Sequence, residues 1–122
     1  MHENDNIRFR EEMKARLKKF VLDLIRICQG LPHTQETNII KNQLLRSGSS
    51  VYANYRAACR ARSKAEFFSK LSIVVEEADE TEMWLDLLIE SKLSDTEETK
   101  QLYRESLEIL KIMASARKNT KL

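Results

Sequence analysis

The chain has 122 residues, with only two glycines, one proline and two cysteines, and a formal net charge of +2 from 21 basic and 19 acidic side chains. That length closes one hydrophobic core without disulfides or metals, and the scarcity of helix breakers predicts a chain that is almost all helix. No run approaches the roughly 18 uncharged apolar residues of a membrane span, and Met1–Ile7 lacks the apolar core of a signal peptide, so no membrane role and a cytoplasmic location are expected.

A first helix is predicted from about Arg8 to Gln29. Leu17, Phe20, Val21, Leu24, Ile25 and Cys28 recur at intervals of three and four and so share one face. Gly30 permits a stop and Pro32 enforces it. Thr34 is placed to cap a second helix from about Gln35 to Arg62, whose stripe is Ile40, Leu44, Val51, Tyr52, Tyr55 and Cys59. Within it Ser47-Gly-Ser-Ser50 carries a propensity cost of roughly 1 kcal/mol for the glycine. The apolar rhythm nevertheless stays in phase from Leu44 to Tyr55, which favours a continuous helix, with room for a bend and a notch for close packing, over a break into two.

Ser63-Lys-Ala-Glu66 is a capping-box pattern that opens a third helix running to about Ser91. Its face is Phe68, Leu71, Val75, Ala78, Leu85 and Leu88. Ser94-Asp-Thr-Glu97 repeats the pattern and opens a fourth helix ending near Arg117, with Leu102, Ile109 and Met113 on its face and Ser106 in line. The chain is thus read as a single domain over 1–122, all-α, an antiparallel up-down-up-down four-helix bundle, with termini fraying over about 1–7 and 118–122. Leu45, Phe67, Ile73, Val74, Trp84, Leu87, Ile89, Leu107 and Leu110 lie partly off these stripes, and surplus apolar residues on bundle flanks point to subunit contact.

Charge is divided by helix. From His33 to Lys64 six basic residues face one acidic residue, a net of +5; from Ala65 to Leu93 two basic residues face eight acidic ones, a net of −6. Folding back around Ser63 brings Arg46 level with Glu77 and Glu80, so one reading is pairing between neighbouring helices, worth about 0–1 kcal/mol per exposed pair. A second sets the basic face of one subunit, with Arg46, Glu77, Glu80 and Trp84 at the contact, against the acidic face of the next, a heterologous contact that closes into a ring when the rotation permits. A third reads Arg56, Arg60, Arg62 and Lys64 as a patch for nucleic-acid phosphates.

Leu31-Pro32, Gln43-Leu-Leu-Arg-Ser47, Ser50-Val-Tyr-Ala-Asn54, Ser63-Lys64 before Phe67, Lys70-Leu71, Glu77-Ala78, Glu80 and Trp84-Leu-Asp-Leu-Leu-Ile-Glu90, in that order, resemble the bacterial 23S rRNA intervening-sequence proteins, also called the S23 ribosomal protein family. The resemblance spans nearly the whole chain. Many members carry an acidic residue two or three positions after the asparagine matching Asn54; here Tyr55, Arg56, Ala57 and Ala58 follow, which leaves this region more basic. The resemblance implies an antiparallel four-helix bundle assembled as a homopentameric ring. The family name records gene location within ribosomal RNA intervening sequences, not demonstrated RNA binding. A distantly similar bundle is an accessory protein to a reverse transcriptase and is thought to bind nucleic acid. No catalytic residues are established for the family.

Enzyme chemistry finds little footing. Di-iron bundles need inward Glu-x-x-His pairs, and neither His2 nor His33 follows a Glu at that spacing. Glu77, Glu80 and Glu82 read as a solvated acidic face rather than metal ligands. Cys28 and Cys59 are far apart and read as buried thiols. No cofactor is expected, and no small-molecule substrate is evident. Asn54 is the polar residue expected to bond backbone or Glu80 across the core. The leading expectation is a non-enzymatic oligomeric scaffold that binds nucleic acid, RNA above all, through Arg56–Lys64; the alternative is a protein-interaction module with no nucleic-acid role, and a metal-dependent enzyme ranks third.

Overall fold

The computed structural model describes residues 3–121, the Glu3 side chain apart. They form four helices: α1 (Glu3–Gln29), α2 (Gln35–Cys59), α3 (Lys64–Glu90) and α4 (Glu97–Lys118). Cross-helix contacts run in opposite chain order. Ser47 on α2 meets Thr81 on α3, while Ala58 near the end of α2 shares a hollow with Phe67 near the start of α3. Arg16 on α1 meets Glu105 on α4, and Ile27, eleven residues on, lines a hollow with Glu98. Successive helices are therefore antiparallel, as short connections require. Packing is most extensive between α2 and α3 and least between α1 and α4.

The core follows the stripes. Leu17, Leu24, Leu44, Leu71, Val74, Leu85 and Leu88 are wholly buried, with Ile109 and Met113 closing the side contributed by α4. Each such side chain gains roughly 1.5–3 kcal/mol from leaving water. Three expectations are corrected. Ile25 lies 40 % exposed, because the buried face of α1 and its exit runs through Met13, Leu17, Phe20, Leu24, Cys28 and Leu31, one position off it. Val74, assigned to the surplus, is core, and Val75 beside it is only half-buried. Leu87 alone among the surplus residues stays as exposed as 41 %.

Helix limits differ from expectation where capping chemistry decides. α1 begins at Glu3 rather than Arg8, so residues 3–7 continue the helix; Asp5 places negative charge near its start, where the helix dipole favours it. Residues 1–2 and 122 lie outside the described range. α2 stops at Cys59, not Arg62. Ser63 must take extended backbone (φ −153°, ψ 162°) to cap α3, and Arg60–Arg62 are the residues that turn the chain. The Ser63 hydroxyl accepts the Glu66 amide at 3.0 Å. At α4 the cap is Thr96, not Ser94. Thr96 Oγ1 accepts the Thr99 amide at 3.2 Å, while Ser94 Oγ sits 2.6 Å from the buried Thr99 hydroxyl. Thr34 caps α2 as expected, again through a buried threonine three residues on, Thr37.

The Ser47–Ser50 segment is unbroken helix. Ser47 and Gly48 are buried, and a Cβ built on Gly48 would run into Leu24 Cδ1 of α1 and approach Thr81 Cγ2 at 3.9 Å. Gly48 is thus the notch that lets α1 lie against α2. Beside it, Thr81 Oγ1 lies 2.9 Å from Ser47 Oγ and 2.7 Å from the Glu77 carbonyl. The Ser47 hydroxyl in turn donates to the Leu44 carbonyl at 3.3 Å, so both buried hydroxyls have partners, as burial demands. Cys28 is buried and its thiol pushed up to about 11 by desolvation, which keeps it protonated and inert; Cys59 is half-buried.

Candidate nucleic-acid interface

Arg46 projects from α2 toward α3, three turns before the basic end. Its guanidinium donates to Glu77 at 2.8 Å and to Glu80, while its Nε holds Gln43 at 2.9 Å. Trp84 Nε1 donates to the same Glu80 oxygen at 3.0 Å. These five residues form one network between α2 and α3 within a protomer. The Trp84 N–H, followed by the Arg46 bond and charge, holds the Glu80 carboxyl below its usual value of 4.5. A depressed carboxyl stabilises the fold above its unfolded-state value and loses that contribution as pH falls through the folded one. The stability gap between the native protein and Glu80→Gln is therefore expected to be full at neutral pH and to close below about 4.5. Urea melts across pH check this, and a gap that widens in acid would contradict it.

Asn54 does not reach Glu80 and is not a core residue. It is half-buried and donates along its own helix, to the Ser50 carbonyl at 3.0 Å and the Ser50 hydroxyl at 2.9 Å. The two lie one turn apart, so the bond is local and needs no partner across the bundle.

The arginines separate into groups. Arg8, Arg16, Arg26, Arg46 and Arg104 each hold a carboxylate, and Arg16 does so bidentately, with both bonds to Glu105 at 2.6 Å. Arg10 and Arg117 stack over Phe67 and Phe68 at 5.2 and 4.5 Å, and Arg117 also donates to Ser72 at 2.7 Å. Arg56 rests over Tyr52 at 5.6 Å. Arg56, Arg60, Arg62 and Lys64 are all exposed, and among the described residues none has a carboxylate within ion-pair distance. They gather at the end of α2, the turn and the first residue of α3. The antiparallel arrangement carries the last turn of α4, with Lys118 and Lys121, to the same end, and Lys64 and Lys121 line one hollow.

Two hollows meet at that end, and spacing alone did not signal either. One, of about 850 Å³, opens between the start of α1 and the end of α4, and Phe9, Tyr55, Phe67, Ile112, Met113 and Ala116 supply its apolar walls. The other, of about 490 Å³, reaches Ser63, Lys64 and Lys121. Asn6, Arg10, Phe67 and Asn119 line both. Phe9 stands four positions before core Met13, and only the register of α4 against α1 shows that it lines a hollow. At the opposite end, exposed Ile39 precedes Ser47 by about two turns and so lies level with exposed Leu87, just under two turns after Thr81. Met83 is also exposed, and Trp84 is half-buried against the core.

No helix among the described residues is long and apolar enough to cross a membrane. The model of the family described as "23S rRNA-intervening sequence protein" matches residues 12–115. No curated protein matches the chain. A crystal structure of a protein of unknown function from the S23 ribosomal protein family of Bacteroides thetaiotaomicron VPI-5482 superposes with a TM-score of 0.79 at 36 % identity, covering 87 % of this chain and 98 % of that one. With the family model matching residues 12–115 and a family structure 36 % identical over 87 % of its length, the chain belongs to the 23S rRNA-intervening sequence protein family.

Proposed function

We propose that this protein is a non-enzymatic, oligomeric scaffold that binds nucleic acid, RNA above all, through Arg56, Arg60, Arg62 and Lys64. The observation that carries the reading is the contrast among the arginines: those along the bundle flanks are neutralised by carboxylates, while those at the α2–α3 turn face solvent without one. Unneutralised guanidinium groups are the donors that phosphate oxygens take, and releasing condensed counterions supplies the free energy. Anisotropy of a labelled structured RNA, titrated from about 50 to 200 mM salt, tests it. Binding should weaken steeply and linearly on logarithmic axes. Absence of binding at the lowest salt, or affinity indifferent to salt, would remove the proposal.

Assembly belongs to the same reading. Exposed Ile39, Met83 and Leu87 support a subunit contact, since large apolar side chains left in solvent gain by being covered. Light scattering at micromolar concentration is expected to give about five times the 14.3 kDa chain mass. Met83→Glu with Leu87→Glu should lower that mass. A native protein that scatters as a monomer contradicts the assembly.

A further inference from the structure

We propose that the joined hollows at the basic end take unpaired nucleotides, a base in the apolar compartment and its phosphate in the cationic one, so that the scaffold selects single-stranded over duplex nucleic acid. This rests on the nucleic-acid reading above and specifies its ligand. The two compartments differ in chemistry in the way a nucleotide does. The larger is walled by aromatic and aliphatic side chains, with Phe9 49 % exposed and so presenting ring surface to an incoming base. The smaller carries Lys64 and Lys121 beside the Ser63 cap.

Arg10 stands where the compartments join. Its guanidinium lies over the Phe67 ring at 5.2 Å and, among the described residues, has no carboxylate partner, so it can stack on a base or hold a phosphate. Asn6 and Asn119 bring amide donors and acceptors to the same junction, suited to the edge of a base. Asp5 offsets one of the two cations, Arg10 and Lys111, that line the apolar compartment, whereas Arg10, Lys64 and Lys121 line the smaller one with no acidic residue, which puts the phosphate on the Lys64 side. A duplex stacks its bases on each other and offers only their edges, whereas an open strand offers their faces, which aromatic platforms bind.

The experiment compares a labelled single strand of about 12 nucleotides with a blunt duplex of the same sequence, at one salt concentration, on the full chain. The single strand should bind about tenfold tighter or more. Phe9→Ala should cost the single strand about 5–100-fold and leave the duplex unchanged, as loss of one stacking platform predicts. Because Phe9 is half exposed, its truncation should leave the thermal melt near that of the native protein, which is read alongside. Ala116→Trp, filling the hollow from α4, should reproduce the loss. Equal affinity for both forms, or a Phe9→Ala effect of the same size on both, overturns the inference while the basic-patch reading stands. No binding of either form overturns both. Dodecyl phosphate binding tightly while the single strand gains nothing over the duplex reassigns the hollows to an amphipathic phosphate and overturns it too.

Discussion

Gly48→Val should be the most damaging single change in the bundle, lowering stability by about 3 kcal/mol or more. The Gly48 position has helical backbone and belongs to a continuous α2, so on propensity alone a side chain there would help: alanine is better than glycine by about 1 kcal/mol. Packing reverses the sign. Even the first carbon of a side chain would collide with Leu24 Cδ1, so the wholly buried Leu24 side chain would have to shift against its core neighbours. Gly48→Ala is therefore expected to cost about 1–2 kcal/mol net, and valine more, since it adds two methyl groups to a site that lacks room for one. Urea unfolding measures both. A double-mutant cycle with Leu24→Ala adds the decisive arm: the two deletions of fit should compensate by about 1 kcal/mol or more, because the methyl gained on α2 occupies part of the volume lost on α1. Strict additivity would mean that the helices do not meet at this point.

Arg60→Gln with Arg62→Gln should leave the fold unchanged and reduce affinity for RNA by roughly two powers of ten at low salt, with the salt slope shallower by about 2. Neither side chain touches a carboxylate or lies in the core, so substitution should fall within about 0.5 kcal/mol of neutral for stability. The same pair of changes at Arg16 or Arg46 would confound the measurement, since each anchors two helices through Glu105 or through Glu77 and Glu80. Unchanged affinity in the Arg60/Arg62 variant, with RNA still bound by the native protein, would move the interface elsewhere. Protein-partner capture that survives in this variant, with no RNA binding by the native chain, would favour the interaction-module alternative.

The reach of the sequence can be judged from particular residues. Four helices were legible because each has a capping side chain or a stop, and because three-and-four spacing needs no tertiary knowledge. Continuity through Gly48 was legible from phase alone, since Leu44 and Val51 are seven apart and fall on one face. The boundaries were harder. Two hydroxyl residues, Ser94 and Thr96, both stood where a cap could be, and only the burial of Thr99 decides between them. The first turns of α1 carry no apolar rhythm, so their helicity rests on favourable charge near the dipole, which periodicity does not detect. The Arg46–Glu77–Glu80 pairing followed from the hairpin register, but the Trp84 bond to the same oxygen did not, because it depends on which way a ring turns. The hollows were illegible for a further reason. They belong to no element, and arise where the ends of α1 and α4 splay, a property of how rods diverge that no single segment encodes.

That divergence has a dynamic corollary. α2 and α3 form the spine of the molecule and α1 and α4 its covers, joined to each other mainly at mid-length by the Arg16–Glu105 fork. Amide protons in the first turns of α1 and the last turns of α4 should exchange with deuterium ahead of those in the spine, through small openings that leave the hairpin of α2 and α3 closed. Anything seated between the covers would then be felt first as slower exchange at those two chain ends, far from any residue it does not touch.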